Sequence, residues 1–484
     1  MNHSDSLHNE TPLTPNVTST SSDSLWYLSI RRVVLGLAFS LMPLRLLGLQ
    51  YIVPTIGFLF VILGLRTLRH HEPWFQRGFI VILPLFGFFC VKLILNASIY
   101  QSDIYDSTIF HHLQTLWQIG IILFLVCLWQ GLKHTCLTIG HPSKAGSALV
   151  LLLWYGFLSS LHGLTLHGWI PVLTLLISYI VIIRKILALI SAISASGYEI
   201  PSPAHHVSDG ILVAFTLTTI AVGCGSCYFF NQNYPMEWQP QKTIQNQEIQ
   251  RIQTELMQLG VPEHILRDLT QQELLSCDGA LRMVINIDEG LDPHDFRDMS
   301  TKNLVLTSIA LELPNQREHW KIIHHFSWKE HSQFHGTECI QIWTPYRRTD
   351  SWWGKASEVT GQLLYEQDDQ CFTALYYFLG EKTYTANSMF FGSQTSTDVF
   401  AAFSFPHTGT NHRGYLSYTI KELNDGEIID SWINYCHQNA KRLANYPAQT
   451  AMDHRLQNSF HSNVFTTIQH ALQFNPNANP LEPY

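Results

Sequence analysis

Residues 210–230 read GILVAFTLTTIAVGCGSCYFF, twenty-one positions without one charged side chain. At about 1.5 Å of rise per residue such a helix is as long as the hydrocarbon core of a bilayer, which takes roughly 20 residues. The chain on either side of it differs in kind. Before Asn233 there are eleven Lys and Arg against eight Asp and Glu; after it there are eighteen against twenty-nine, out of totals of 29 and 37. Upstream the sequence reads as membrane. Downstream it reads as an acidic water-soluble domain of 252 residues, long enough to bury its own core. That acidity argues against nucleic acid or anionic head groups as its partner.

Working back from this segment, further apolar runs occupy Tyr51 to Leu68, Gly78 to Leu95, Leu116 to Leu132, Ala148 to Leu166 and Trp169 to Ile190. A seventh, Val33 to Leu44 within Trp26 to Leu49, is short and flanked by Arg31, Arg32 and Arg45, which can snorkel to the interfaces. The expectation is a bundle of seven transmembrane helices over residues 25–232. Residues 1–24, polar and without Lys or Arg, are expected to be a disordered tail. Basic residues (Arg66, Arg69 and Arg77; Lys133 and Lys144; Arg184 and Lys185) mark alternate connections, whereas Asn96 to Gln114 has none. A basic excess marks the cytoplasmic face, so the N-terminus is expected in the cytoplasm and the C-terminal domain outside it.

The text SIRRVVLGLAFSLMPL, followed by YIVPTIGFLFVILGLRTL, resembles the opening of a loose group of uncharacterised multi-pass membrane proteins of Gram-positive bacteria. Pro54, Gly57, Gly64, Leu65, Arg66 and Leu68 carry the likeness, and Thr55 stands where that group has an acidic residue. The resemblance implies a bacterial plasma-membrane protein and no particular activity.

Beyond the membrane, Ile249, Ile252, Leu256 and Leu259 recur at helical spacing, and Thr270 with Glu273 has capping-box spacing. Residues 233–300 therefore read as a helical stalk or cap. Short aromatic and β-branched runs follow: Leu304 to Leu313, His319 to Trp328, Cys339 to Trp343, Gln362 to Tyr365, Phe372 to Phe378, Val399 to Phe405 and Gly414 to Lys421. They predict an antiparallel β-sandwich over 301–425. Two helices, Ile428 to Leu443 and Leu456 to Leu472, are expected within 426–474, with a tail at 475–484. The fold class is thus an α-helical membrane bundle followed by an α+β extracytoplasmic domain with an antiparallel β-sandwich core.

Several constellations bear on chemistry. Cys224 and Cys227 form a CxxC pair on one helix face, able in principle to exchange disulfides, though set among glycines that suit close helix packing. Cys277, Cys339, Cys371 and Cys436 allow three disulfide pairings. His324, His325, His331 and His335 cluster, but adjacent strand residues face opposite ways and no partner motif for zinc accompanies them. The acidic stretch at Asp288, Glu289, Asp292, Asp295 and Asp298 has Pro293 and Met299 where a calcium loop needs glycine and glutamate. His162, His167, His205 and His206 read as interfacial or loop residues. Trp320, Trp328, Trp343, Trp352 and Trp353 suit a sandwich core or an exposed stacking surface. No apolar segment holds an Asp or Glu, which weighs against ion-coupled transport. No catalytic, cofactor-binding or metal residue is assigned.

The expected role is a non-enzymatic sensor or scaffold in the plasma membrane. Its outer domain would bind a protein, peptide or sugar. A permease or lipid-handling component is the alternative, and a membrane thiol oxidoreductase using Cys224 and Cys227 the second.

Overall fold

The computed structural model describes residues 24–41, 49–140, 145–160, 169–201, 207–241, 246–289, 301–315, 318–329, 334–343, 352–388, 392–423, 428–439, 445–457 and 462–484. The chain divides into two units. One holds Met1–Ile94 and Ile104–Val222, the other Leu95–Asp103 and Gly223–Tyr484. The tail expected at residues 1–24 lies outside the described residues, apart from Ser24.

The first unit is helical: α1 (Leu25–Ser40), α2 (Leu49–Leu68), α3 (Pro73–Leu95), α4 (Gln101–Tyr105), α5 (Thr108–Thr138), α6 (Gly146–Ser160), α7 (Trp169–Ala195) and α8 (Asp209–Phe230), with the ends of α3, α4 and α8 reaching the second unit. Five of these are long and apolar enough to cross a membrane, in α2, α3, α5, α7 and α8; α6 is apolar but has 15 residues. In α7 the helix runs on to Ala195, so Arg184 and Lys185 lie within it on an exposed face rather than in a connection.

Glycine sets the tightest packing. A Cβ on Gly36 of α1 would stand 2.5 Å from the Gly57 carbonyl oxygen of α2, and one on Gly64 would stand 2.5 Å from that of Ser29. Two helix backbones can approach so closely only where no side chain intervenes, the small-residue contact familiar in membranes. Because residue 36 meets 57 while 29 meets 64, the two helices run antiparallel. On the other flank of α1, the Tyr179 hydroxyl of α7 donates to the Leu37 carbonyl at 2.9 Å, and Trp26 meets Tyr198 edge-on at 5.5 Å. Asp209, at the start of α8, receives Arg66 at 3.1 Å and Arg32 at 3.6 Å. None of the apolar window of α8 is buried, and Phe215 and Val222 stand out from it.

The second unit is an antiparallel β-sheet domain with short helices. Its elements are β1 (Gln239–Pro240), α9 (Gln247–Gln258), α10 (Glu263–Asp268), α11 (Gln271–Leu275), β2 (Met283–Asp288), β3 (Leu304–Leu313), β4 (His319–Trp328), β5 (Glu338–Trp343), β6 (Trp352–Trp353), β7 (Thr360–Gln367), β8 (Gln370–Ala374), β9 (Phe378–Ser388), β10 (Gly392–Phe403), β11 (Thr410–Glu422), β12 (Ile429–Gln438), α12 (Ala451–Leu456) and β13 (Phe465–Phe474). One sheet runs β1-β8-β7-β11-β4-β3-β2, with β6 on β11; the other runs β13-β12-β5-β10-β9.

Side chains alternate across a strand, and β4 shows where each face goes. Its even residues Trp320, Ile322, Phe326 and Trp328 enter a buried cluster with Ile340, Phe403, Ile433 and Leu472 of the other sheet. The odd residue Ile323 joins Ile249, Ile252, Leu256 and Ile265 of the helices. Thr270 caps α11 by accepting from the Glu273 amide, but the Glu273 carboxylate pairs with Lys321 and the Thr270 amide donates to the Tyr415 hydroxyl, so only half of the expected capping box forms.

Two expectations fail. The segments read as C-terminal helices hold β12 and β13, separated by the six-residue α12. The stretch 233–300, read as a helical stalk or cap, also holds β1 and β2, the latter paired with β3. In β12 nearly every residue is buried, so the sequence lacks the polar alternation that marks a half-exposed strand.

Candidate functional site

The helix-covered face of the first sheet carries a line of buried charges. Asp268 closes α10 and is 2% exposed. Its Oδ2 lies 2.9 Å from His325 Nε2 and its Oδ1 accepts from Arg413 Nε at 2.8 Å. Arg413 also pairs with Glu366 at 3.0 Å and points Nη2 at the Cys371 sulfur, 3.6 Å away. Burial alone would raise the Asp268 pKa, but His325, by hydrogen bond and charge, and then Arg413 outweigh it and hold the carboxyl below its ordinary range. The exposed His264 meets the His325 ring at 5.9 Å; partial burial and the His325 charge push its pKa down. One turn further along, Glu273 pairs with the buried Lys321 at 2.5 Å and accepts from Thr360. Burial opposes ionisation there too, and the Lys321 charge overcomes it.

This line ends in a cleft. The segment leaving α8 runs beside β8, where β1 pairs Gln239 with Thr373. Tyr234 is buried and Met236 and Trp238 pack on the inter-sheet core, so the intervening Pro235, Glu237 and Gln239 face outward. Together with Gln362, Leu375 and Tyr377 they border a cleft of about 580 Å³. That is the size of an ordinary small-molecule site. Leu375 is 76% exposed, and the Tyr377 ring stacks on Tyr234 at 4.4 Å. Gln362 joins cleft to charges, since its Nε2 donates to the Asp268 carbonyl at 2.8 Å. The lining offers one carboxylate, amides and aromatic rings, and no Lys, Arg or His. It suits a neutral or cationic ligand better than an anion.

The residues singled out in the sequence fall elsewhere for the most part. Cys224 and Cys227 are half-buried thiols on α8. Cys277, just past α11, is buried, and burial pushes its thiol up to about 11. Cys339 and Cys436 lie directly opposite each other in β5 and β12. Cys371 borders the charged line described above. His324 faces the other sheet, hydrogen-bonded to Ser308 at 2.7 Å and Ser431 at 2.8 Å, while His325 faces the helices. His335 accepts through its backbone carbonyl from Gln438 at 3.5 Å. His331, Asp292, Asp295, Asp298, His162, His167, His205 and His206 lie outside the described residues. Glu289 pairs with Lys329 at 2.8 Å. Among the described residues no three His, Cys, Asp or Glu side chains stand together as a metal would require. Trp320, Trp328 and Trp352 are core, whereas Trp353 is exposed between Lys355 and Lys421.

Other buried charges went unread in the sequence. Glu338 lies 3.0 Å from His437 Nδ1, and the fully buried Arg455 donates to Gln341, whose amide in turn donates to Asp398. Lys321 in HWKIIHHF and Glu338 in ECIQIW are single charges inside apolar strands. A charge in such a setting implies a buried partner, and that was the available signal.

A scan against protein-family models matches none, and neither does a search of curated proteins. Among solved structures, one described as "Pore forming protein" aligns over 42% of this chain and 94% of that one, at 5% identity and a TM-score of 0.20, too low to establish a common fold.

Proposed function

We propose that the chain is a multi-pass membrane protein presenting its β-rich domain outside the cytoplasm as a binding module. The observation that carries this is the membership of residues 95–103, which join α3 to α5, in the C-terminal unit. Ala448 N–H donates to the Asn96 carbonyl at 2.7 Å, Gln232 donates to that of Ala97 at 3.1 Å, and Gln101 donates to Ala448. The far end of α3 and the far end of α8 therefore belong on one side of a membrane, and an even number of crossings separates them. Helices α5, α7 and α8 give three, so α6 crosses as well; its apolar run continues in the sequence to Leu166. With α1 and α2 as a hairpin and α3 following, seven helices span. Residues 96–107 lack Lys and Arg, whereas Arg66, Arg69, Arg77 and Lys133 lie toward the opposite ends, which supports a cytoplasmic location for those ends.

The two sheets with their common core fit a β-sandwich, and the cleft beside the α8 exit is the ligand site. Protease added to intact cells should remove a tag placed after Tyr484. Protection until lysis overturns the placement. In the full-length protein, neutral or cationic small molecules should raise the thermal midpoint, and Leu375→Lys with Thr373→Trp should abolish that rise. A response to anions alone would refute the ligand class.

A further inference from the structure

The register of β5 on β12 sets Cys339 directly opposite Cys436. Opposed residues in an antiparallel ladder have Cα atoms about 4.5 or 5.5 Å apart, with side chains on one face. Both spacings fall within the roughly 4.4–6.8 Å that a disulfide bridges. The two side chains are fully buried in one apolar cluster with Phe400, Ala451 and Phe465, and both are thiols in this structure. The remaining cysteines downstream of α8 are placed differently. Cys371 has Glu366 as its cross-strand neighbour, and Cys277 sits in the turn after α11. Of the three pairings open to four cysteines, the ladder favours the one that joins Cys339 to Cys436.

We infer that Cys339 and Cys436 are joined by a disulfide in the protein as it exists in cells, with Cys277 and Cys371 left as thiols. The inference rests on the extracytoplasmic placement proposed above, because that side supplies the oxidant. The reaction is thiol–disulfide exchange with an oxidised protein dithiol carrier. One cysteine thiolate attacks the carrier disulfide and forms a mixed disulfide; the second thiolate then displaces the carrier sulfur. Two S–H bonds and one S–S bond are lost, one S–S bond forms in the domain, and the carrier leaves as a dithiol with both electrons and both protons. Because the folded domain seals both sulfurs, the exchange must precede closure of the second sheet. The finished bond should then resist reductant until the domain unfolds.

The test is peptide mapping of the full-length protein, alkylated in the cells and digested without reduction. The expected result is a linked pair of peptides carrying residues 339 and 436, absent after Cys339→Ala or Cys436→Ala, with 277 and 371 alkylated once the protein is denatured. Alkylation of both 339 and 436, or linkage of either to another cysteine, overturns the inference. The tag-protease assay on the same cells separates the two readings. Free thiols with an accessible tag refute the disulfide alone, free thiols with a protected tag refute both, and a linked pair with a protected tag sustains the disulfide and refutes the placement.

Discussion

Ala448 donates its backbone N–H to the carbonyl oxygen of Asn96 at 2.7 Å, and its own carbonyl accepts from the Gln101 side chain. Residues on either side of most of the chain thereby close a single hydrogen-bonded patch. Ile99 adds an amide to the Asn231 carbonyl at 3.4 Å. Gln101 is buried, so replacing it with leucine strands the Ala448 carbonyl without water to take the place of the lost donor. The expected cost is about 1–3 kcal/mol. It should appear as a lower thermal midpoint of the full-length protein, with the accessibility of a C-terminal tag unchanged.

The α1–α2 crossing should tolerate no added side chain. Gly57→Val brings atoms against the Gly36 carbonyl and the Ser40 amide, both backbone and unable to yield. Overpacking of this kind costs about 1–3 kcal/mol or more. Gly87 has open space around it, and Gly87→Ala should be neutral. Detergent-solubilised yield and melting of the two variants decide the matter; equal behaviour would refute the crossing.

Removing Asp268 leaves the largely buried Arg413 guanidinium with only the half-exposed Glu366 as counter-ion, and takes the buried hydrogen-bond partner from His325. Breaking one partner of a buried pair costs about 3–5 kcal/mol, so Asp268→Ala should melt far below the parent protein. The sign of the pH effect follows from the direction of the shift. A carboxyl depressed below its unfolded value of about 3.8 contributes fully above that pH and loses its contribution as pH falls through the folded value. The deficit of the variant should therefore be constant between pH 5 and 8 and shrink only in stronger acid.

His324 acts in a different window. Burial, with a smaller push from the His470 charge, lowers its pKa to about 3. The folded protein keeps the imidazole neutral while the unfolded chain takes up a proton below about 6.5, so stability declines from pH 6.5 toward 3, by at most about 1.4 kcal/mol per pH unit. His324→Gln, which does not titrate, should flatten that limb of a plot of melting temperature against pH. An unchanged slope would assign the acid sensitivity to other groups.

What could be read from the sequence was whatever has a local signature. Long apolar windows without Asp or Glu marked α2, α3, α5, α7 and α8, and the period of Ile249, Ile252 and Leu256 marked α9. The strands β3, β4 and β11 announced themselves through β-branched and aromatic residues. β12 did not, because IDSWINYCHQ is buried almost throughout and its neighbours in sequence, rich in Ala and Asn, read equally well as helix. The candidate site was illegible for a related reason. Asp268, His325, Arg413, Gln362 and Glu237 come from five separate segments, and only the pairing of β7, β11 and β4 beneath α10 brings the first four together. Proximity of that kind has no trace in spacing.

The order β13-β12-β5-β10-β9 has a consequence for synthesis. β5 is flanked by β10 on one side and β12 on the other, so its hydrogen-bonding edges stay open until strands made much later arrive. Until residues 429–438 are added, the nascent domain exposes one unpaired edge of an interior strand, ECIQIW, of the sort that associates with other chains. A nonsense mutation between Trp343 and Ile429 should thus produce an aggregating species rather than a shortened but soluble domain. The cell's quality control would meet this protein chiefly in the interval between synthesis of β5 and synthesis of β12.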